Sequence, residues 1–140
     1  MYAAMAVLSP SSIMIPPVEQ WRDRYLVLVP DKYAFDSLLL AAPSTARIRY
    51  DGTDLEDALA CDYQPAGTLP LGPDGTDLQY VAIRCMLSHP TTTGPGTQDD
   101  GVHYLETADG THFGLVVWGW DSFVSYGYPG GSNVSPINLQ

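Results

Sequence analysis

Basic residues are scarce in this chain. One lysine and five arginines stand against 16 acidic residues, and no lysine or arginine follows Arg84. The formal net charge is −10. Such a surface repels phosphate backbones and anionic headgroups, so no nucleic acid and no anionic membrane is expected as a partner. Long apolar runs are missing too. No stretch approaches the roughly 20 apolar residues of a membrane-spanning helix, so no membrane insertion is expected. Met1 to Leu8 is apolar but lacks the basic start of a secretory signal, and its run is at the lower limit of length. A fragment of a longer chain is as good an account of that start as a whole one.

Cysteine is nearly absent, with two in all. In a lysine-poor, acidic chain rich in Gly and Pro, Cys61 and Cys85 read as a disulfide of an oxidising, extracellular compartment. Catalytic patterns are missing. There is no G-x-S-x-G, and Ser122 beside Asp121, or Ser125, lacks an evident base and orienter. No phosphate loop exists around Gly94-Pro95-Gly96, which has neither lysine nor a following helix. His89, His103 and His112 lack metal-ligand spacing. No catalytic residue, metal or cofactor is therefore assigned, and the chain is read as a non-enzyme. The nearest approach to a calcium loop is Asp51, Asp54, Glu56 and Asp57, without EF-hand spacing. The repeated Asp-Gly-Thr at Asp51, Asp74 and Asp109 is more simply turn chemistry.

What is present is turn residues and short apolar runs. Twelve prolines and 13 glycines punctuate the chain and leave little room for long helices. Arg24 to Val29 reads as a strand, apolar on both alternations and hence central. Ser37 to Ala42 is a strand by its place between prolines, and Thr45 to Asp51 alternates with period two. Leu55 to Leu59 forms one helical turn capped by Asp54. Cys61 to Gly75 reads as loop, and Leu78 to Leu87 as a strand. Ser88 to Gly101 is a polar loop. Val102 to Glu106 is a strand returning antiparallel from Phe113 through the turn at Ala108 to Thr111. Ser12 to Ile15 and the stretch around Val134 and Ile137 are further strand candidates. Together they make an all-β, antiparallel β-sandwich of jelly-roll or Ig-like type, with about eight short strands and one disulfide. Residues 1–11 form an N-terminal arm, and residues 12–140 the sandwich domain.

Phe113 to Gly131 is the densest stretch, with aromatics interleaved with glycines. Leu115 to Trp118 is a continuous apolar run suited to a strand buried on both faces. Phe123 to Tyr126 is a second strand, and Tyr128-Pro129-Gly130-Gly131 a turn. The hairpin is first of all the end of a β core, and its outward rings form a candidate binding surface: Trp118, Trp120, Phe123, Tyr126 and Tyr128.

An ordered pattern runs through the chain. It comprises Pro16-Pro17, Trp21, Tyr25, Val29-Pro30, Ala34-Phe35, Tyr50-Asp51-Gly52, His103-Tyr104-Leu105, Phe113 to Gly119 and Ser125 to Gly131. This pattern resembles the IgGFc-binding protein N-terminal domain family over about residues 14–133. Trp118 and Trp120 stand where that family more often has Tyr or Phe. The resemblance implies a secreted or cell-surface binding and adhesion module with a protein or glycan partner. It supplies no catalytic residues. Two alternatives accompany it: a self-assembling subunit of a surface fibre or layer, joined as a homo-oligomer through the N-terminal arm, and a carbohydrate-binding module.

Overall fold

The computed structural model describes residues 15–69, 78–90 and 96–131. The arm at 1–11 and the strand candidate around Val134 and Ile137 lie outside the described residues. So does most of the candidate at 12–15, whose last residue, Ile15, is not in a strand.

Among the described residues, nine strands form two antiparallel sheets. They are β1 (Arg24–Val29), β2 (Phe35–Pro43), β3 (Ile48–Tyr50), β4 (Thr53–Asp54), β5 (Ala60–Leu69), β6 (Leu78–Ser88), β7 (Gly101–Thr107), β8 (Gly114–Asp121) and β9 (Val124–Pro129). One sheet has the order β1-β7-β3-β4 and the other β5-β6-β2-β8-β9. A 3-10 turn at Val18–Gln20 precedes β1, and a single helical turn, α1 (Leu55–Ala58), follows β4. Asp54 caps α1 by position only, without a side-chain hydrogen bond.

The sheets face one another across one apolar core. Tyr25, Val27 and Val29 of β1, Ile48 and Tyr50 of β3 and Leu105 of β7 meet Leu38 and Leu40 of β2, Ile83 and Leu87 of β6 and Leu115 and Val117 of β8. Phe113 and Leu55 fill the ends. Each such aliphatic or aromatic side chain stabilises the fold by about 1.5–3 kcal/mol relative to exposure. All-β domains are built this way because a sheet with one apolar face must cover it.

Five expectations change. The strand expected over 123–126 with a turn at 128–131 is instead β9, which starts at Val124 and runs through Pro129, and β8 continues past Trp118 to Asp121. β1 is not central: it is the outermost described strand of its sheet, and only alternate residues are buried. Leu26 and Leu28, 68% and 60% exposed, point away from the core beside Val102. The run at 61–75 is not loop throughout, because β5 occupies Ala60–Leu69. Its Pro65 sits at a register shift on the outermost strand, where no ladder donor is needed. The strand expected over 45–51 shortens to β3, closed by a tight turn in which Asp51 and Gly52 both take positive φ. The turn at 108–111 does not make a hairpin. It carries the chain from one sheet to the other, with β7 pairing β1 and β3 while β8 pairs β2 and β9. Phe113, fully buried and bridged to Arg22, holds that crossing.

The disulfide joins Cys61 and Cys85, which are direct partners on β5 and β6 with Cα atoms 4.1 Å apart. Each cysteine lies within a strand.

Candidate functional site

The aromatic hairpin is divided by the two-residue period of β8. Leu115 and Val117 enter the core, so Trp118 and Trp120, on the other alternation, face away from it. Trp118 lies opposite Ser37 and Trp120 opposite Phe35 on β2. The Phe35 and Trp120 rings stack with centroids 4.4 Å apart and planes 9° apart. Trp120 stacks in turn on Trp118 at 4.9 Å and 15°. Three rings thus stand in file on the outer face of the five-stranded sheet, all half-exposed. At the hairpin tip Phe123 takes φ +63° and is 89% exposed.

Tyr126 and Tyr128 turn the other way and pack against the core. The Tyr126 hydroxyl donates to Asp36 Oδ1 at 2.5 Å. Asp36 is fully buried. Burial pushes its carboxyl above the usual range, although the bond from Tyr126 pulls it back. The Tyr126 phenol is pushed up by burial and by that carboxylate. The Tyr128 hydroxyl donates to the Leu28 carbonyl oxygen and accepts the Leu28 N–H at 3.1 Å, which joins the second sheet to β1. Burial raises this phenol as well. Gly119 makes room for these contacts. A Cβ there would overlap the Phe35 carbonyl oxygen and come within 2.6 Å of the Tyr126 ring. Of the five rings expected at the surface, three are presented outward and two fasten the sheets.

The remaining candidates separate. Asp51 accepts the Tyr104 N–H through Oδ1 and contacts His103 through Oδ2, while Asp54 pairs with Arg49. The four acids considered for calcium do not converge, and the described residues contain no group of three or more His, Cys, Asp or Glu placed to hold a metal. Asp121 accepts the Ser122 backbone N–H at 2.7 Å, which is turn geometry. His112 is exposed, whereas His103 is buried beneath Tyr50. A cleft of about 470 Å³ opens beside β3 and α1, with Arg47, Glu56 and Tyr63 at its walls and Ile48, Leu55 and Ile83 below.

Sequence reasoning missed Phe35, the third ring of the stack, and the joint between Asp36 and Tyr126. Both depend on which strand lies beside β8. The one usable signal was Phe35 opening an apolar strand, which left its partner strand undetermined.

No helix among the described residues is long and apolar enough to cross a membrane. No curated protein and no solved structure matches the chain. Residues 4–119 match the family described as IgGFc binding protein. The match begins earlier than the resemblance in the motifs and ends at Gly119, so Ser125 to Gly131 lies beyond it. It covers most of the chain, and the protein belongs to the IgGFc-binding protein family.

Proposed function

We propose that the protein is a secreted or cell-surface, non-catalytic binding module that contacts a protein partner through the outer face of its five-stranded sheet. The carrying observation is the stack of Phe35, Trp120 and Trp118 on that face. Half-exposed aromatics are among the side chains most enriched at the centres of protein interfaces. The cross-strand disulfide supports an oxidising compartment. Mutual stacking engages the ring faces that a sugar would need and presents ring edges, which favours a protein over a glycan. Phe123 lies at the rim of this surface.

The family description makes the Fc fragment of IgG the first protein probe, with a glycan array as the contrasting one. Wild type is expected to capture immobilised Fc. The Trp118→Ala/Trp120→Ala pair is expected to lose roughly tenfold or more, since central aromatic truncations cost above about 1–2 kcal/mol, with circular dichroism unchanged. Fc capture that survives the double substitution overturns the surface. Array hits lost in the double variant, without Fc capture, move the reading to sugars.

A further inference from the structure

The ring of His103 has an acceptor at each nitrogen. Nδ1 lies 2.7 Å from Asp51 Oδ2, and Nε2 lies 2.9 Å from the Asp99 carbonyl oxygen. A carboxylate or carbonyl oxygen offers no proton, and a neutral imidazole carries only one. A neutral ring would therefore leave one short contact between two acceptors, at a residue only 7% exposed. The imidazolium satisfies both.

The surroundings agree. The Tyr50 ring lies over His103 at 4.9 Å and 24°, and its hydroxyl donates to Asp99 Oδ2 at 2.8 Å. Asp99 Oδ1 stands 3.6 Å from Nε2. The charged groups acting on the ring are Asp51, from the β3–β4 turn, and Asp99, from the run before β7. β1 contributes only Val27, opposite His103 in the ladder. Burial alone pushes the imidazole down, but the bonds to Asp51 and Asp99 and their negative charge outweigh it and hold the ring above its ordinary value.

We infer that His103 is a pH-operated clasp, which as an imidazolium ties the β3–β4 turn to the segment entering β7 and as a neutral ring releases one of the two. The acceptor at Asp51 also fixes the Tyr104 N–H, so the clasp sets the start of β7 as well as the turn. The sign follows from linkage. A histidine whose folded pKa is raised contributes stability that is fully present below its unfolded value, near 6.5, and is lost as the pH rises through the folded value. The clasp is closed in mild acid and loosens toward alkaline pH. It stands independently of the binding surface, on the other sheet.

The test uses the full chain. A ring ¹⁵N–¹H correlation spectrum of His103 is expected to show both nitrogens protonated at pH 6, with the titration midpoint above the ordinary imidazole value near 6.5. Amide exchange at Asp99 and Tyr104, corrected for intrinsic rate, is expected to accelerate by about tenfold for each unit by which the folded pKa exceeds the free one. His103→Gln is expected to flatten that pH profile. Asp51→Asn, which keeps the shape and removes the charge, is expected to lower the midpoint. A ring carrying one proton at pH 6, or a wild-type exchange profile no steeper than that of His103→Gln, overturns the inference. If His103→Gln fails to fold, the ring spectra of wild type and Asp51→Asn still decide it.

Discussion

The two outermost strands of the five-stranded sheet are fastened by different means. β5 is bonded covalently to its neighbour through Cys61 and Cys85. β9 is held by the hydroxyls of Tyr126 and Tyr128, which reach Asp36 and the backbone of Leu28. The covalent side carries a proline and a register shift, and the cross-link there acts by constraining the unfolded chain. The tyrosine side borders the aromatic stack, and its fastenings respond to solvent and pH. Strength at the first edge is fixed by chain entropy, and at the second by the burial of polar groups.

Substitutions sharpen this contrast, beginning at the covalent edge. Replacing both cysteines by serine is expected to lower stability by about 3–4 kcal/mol, the loop-closure value for a link of this span, read as the denaturant midpoint; an unchanged midpoint would show that β5 is held by its hydrogen bonds alone. At the other edge, Gly119→Ala is expected to cost roughly 1–3 kcal/mol by overpacking, because the new methyl meets backbone at Phe35. Thermal unfolding checks it. Tyr126→Phe is expected to cost about 1–3 kcal/mol by stranding a buried acceptor. That cost should depend on pH. Burial holds the Asp36 carboxyl high, so folding favours its protonated form. The associated stability is full in acid and declines as the pH rises through the folded value. Removing the hydroxyl takes away a bond that favours the ionised form, so the deficit of Tyr126→Phe should be smallest near pH 4 and grow toward neutrality. A flat deficit would detach Tyr126 from Asp36. Phe123→Ser, at the tip, is expected to change stability by no more than about 0.5 kcal/mol in the same unfolding assay. A larger loss would place that ring in the fold instead of at its rim.

The sandwich was legible wherever period two met clear punctuation. β2 and β6 read correctly because their apolar runs end at proline or serine, whereas β8 runs past the Trp118 at which its apolar run stops. β1 misled because Leu26 and Leu28 are apolar yet exposed; strand composition does not say which face is covered when the covering partner is remote. β5 was hidden by Pro65 and Gly67, residues that an outermost strand tolerates and a central one does not. The turn after β7 read as a hairpin because local chemistry cannot distinguish a return within a sheet from a crossing between two. The candidate surface was half legible. The sequence named all five rings without separating them; the outward course of Trp118 and Trp120 and the inward course of Tyr126 and Tyr128 required the register with β8 and β2. The cluster of His103, Asp51 and Asp99 joins residues brought together by topology, without a spacing to mark it.

The Tyr128 hydroxyl has a further consequence at β1. Leu28 would otherwise offer both its N–H and its C=O along the outermost described strand of its sheet, beside the exposed side chains of Leu26 and Val102. That combination of open peptide groups and apolar side chains is what recruits a foreign strand and starts aggregation. A single phenol plugs both peptide groups at once, so the tyrosine that closes the sandwich also works as a guard against unwanted polymerisation.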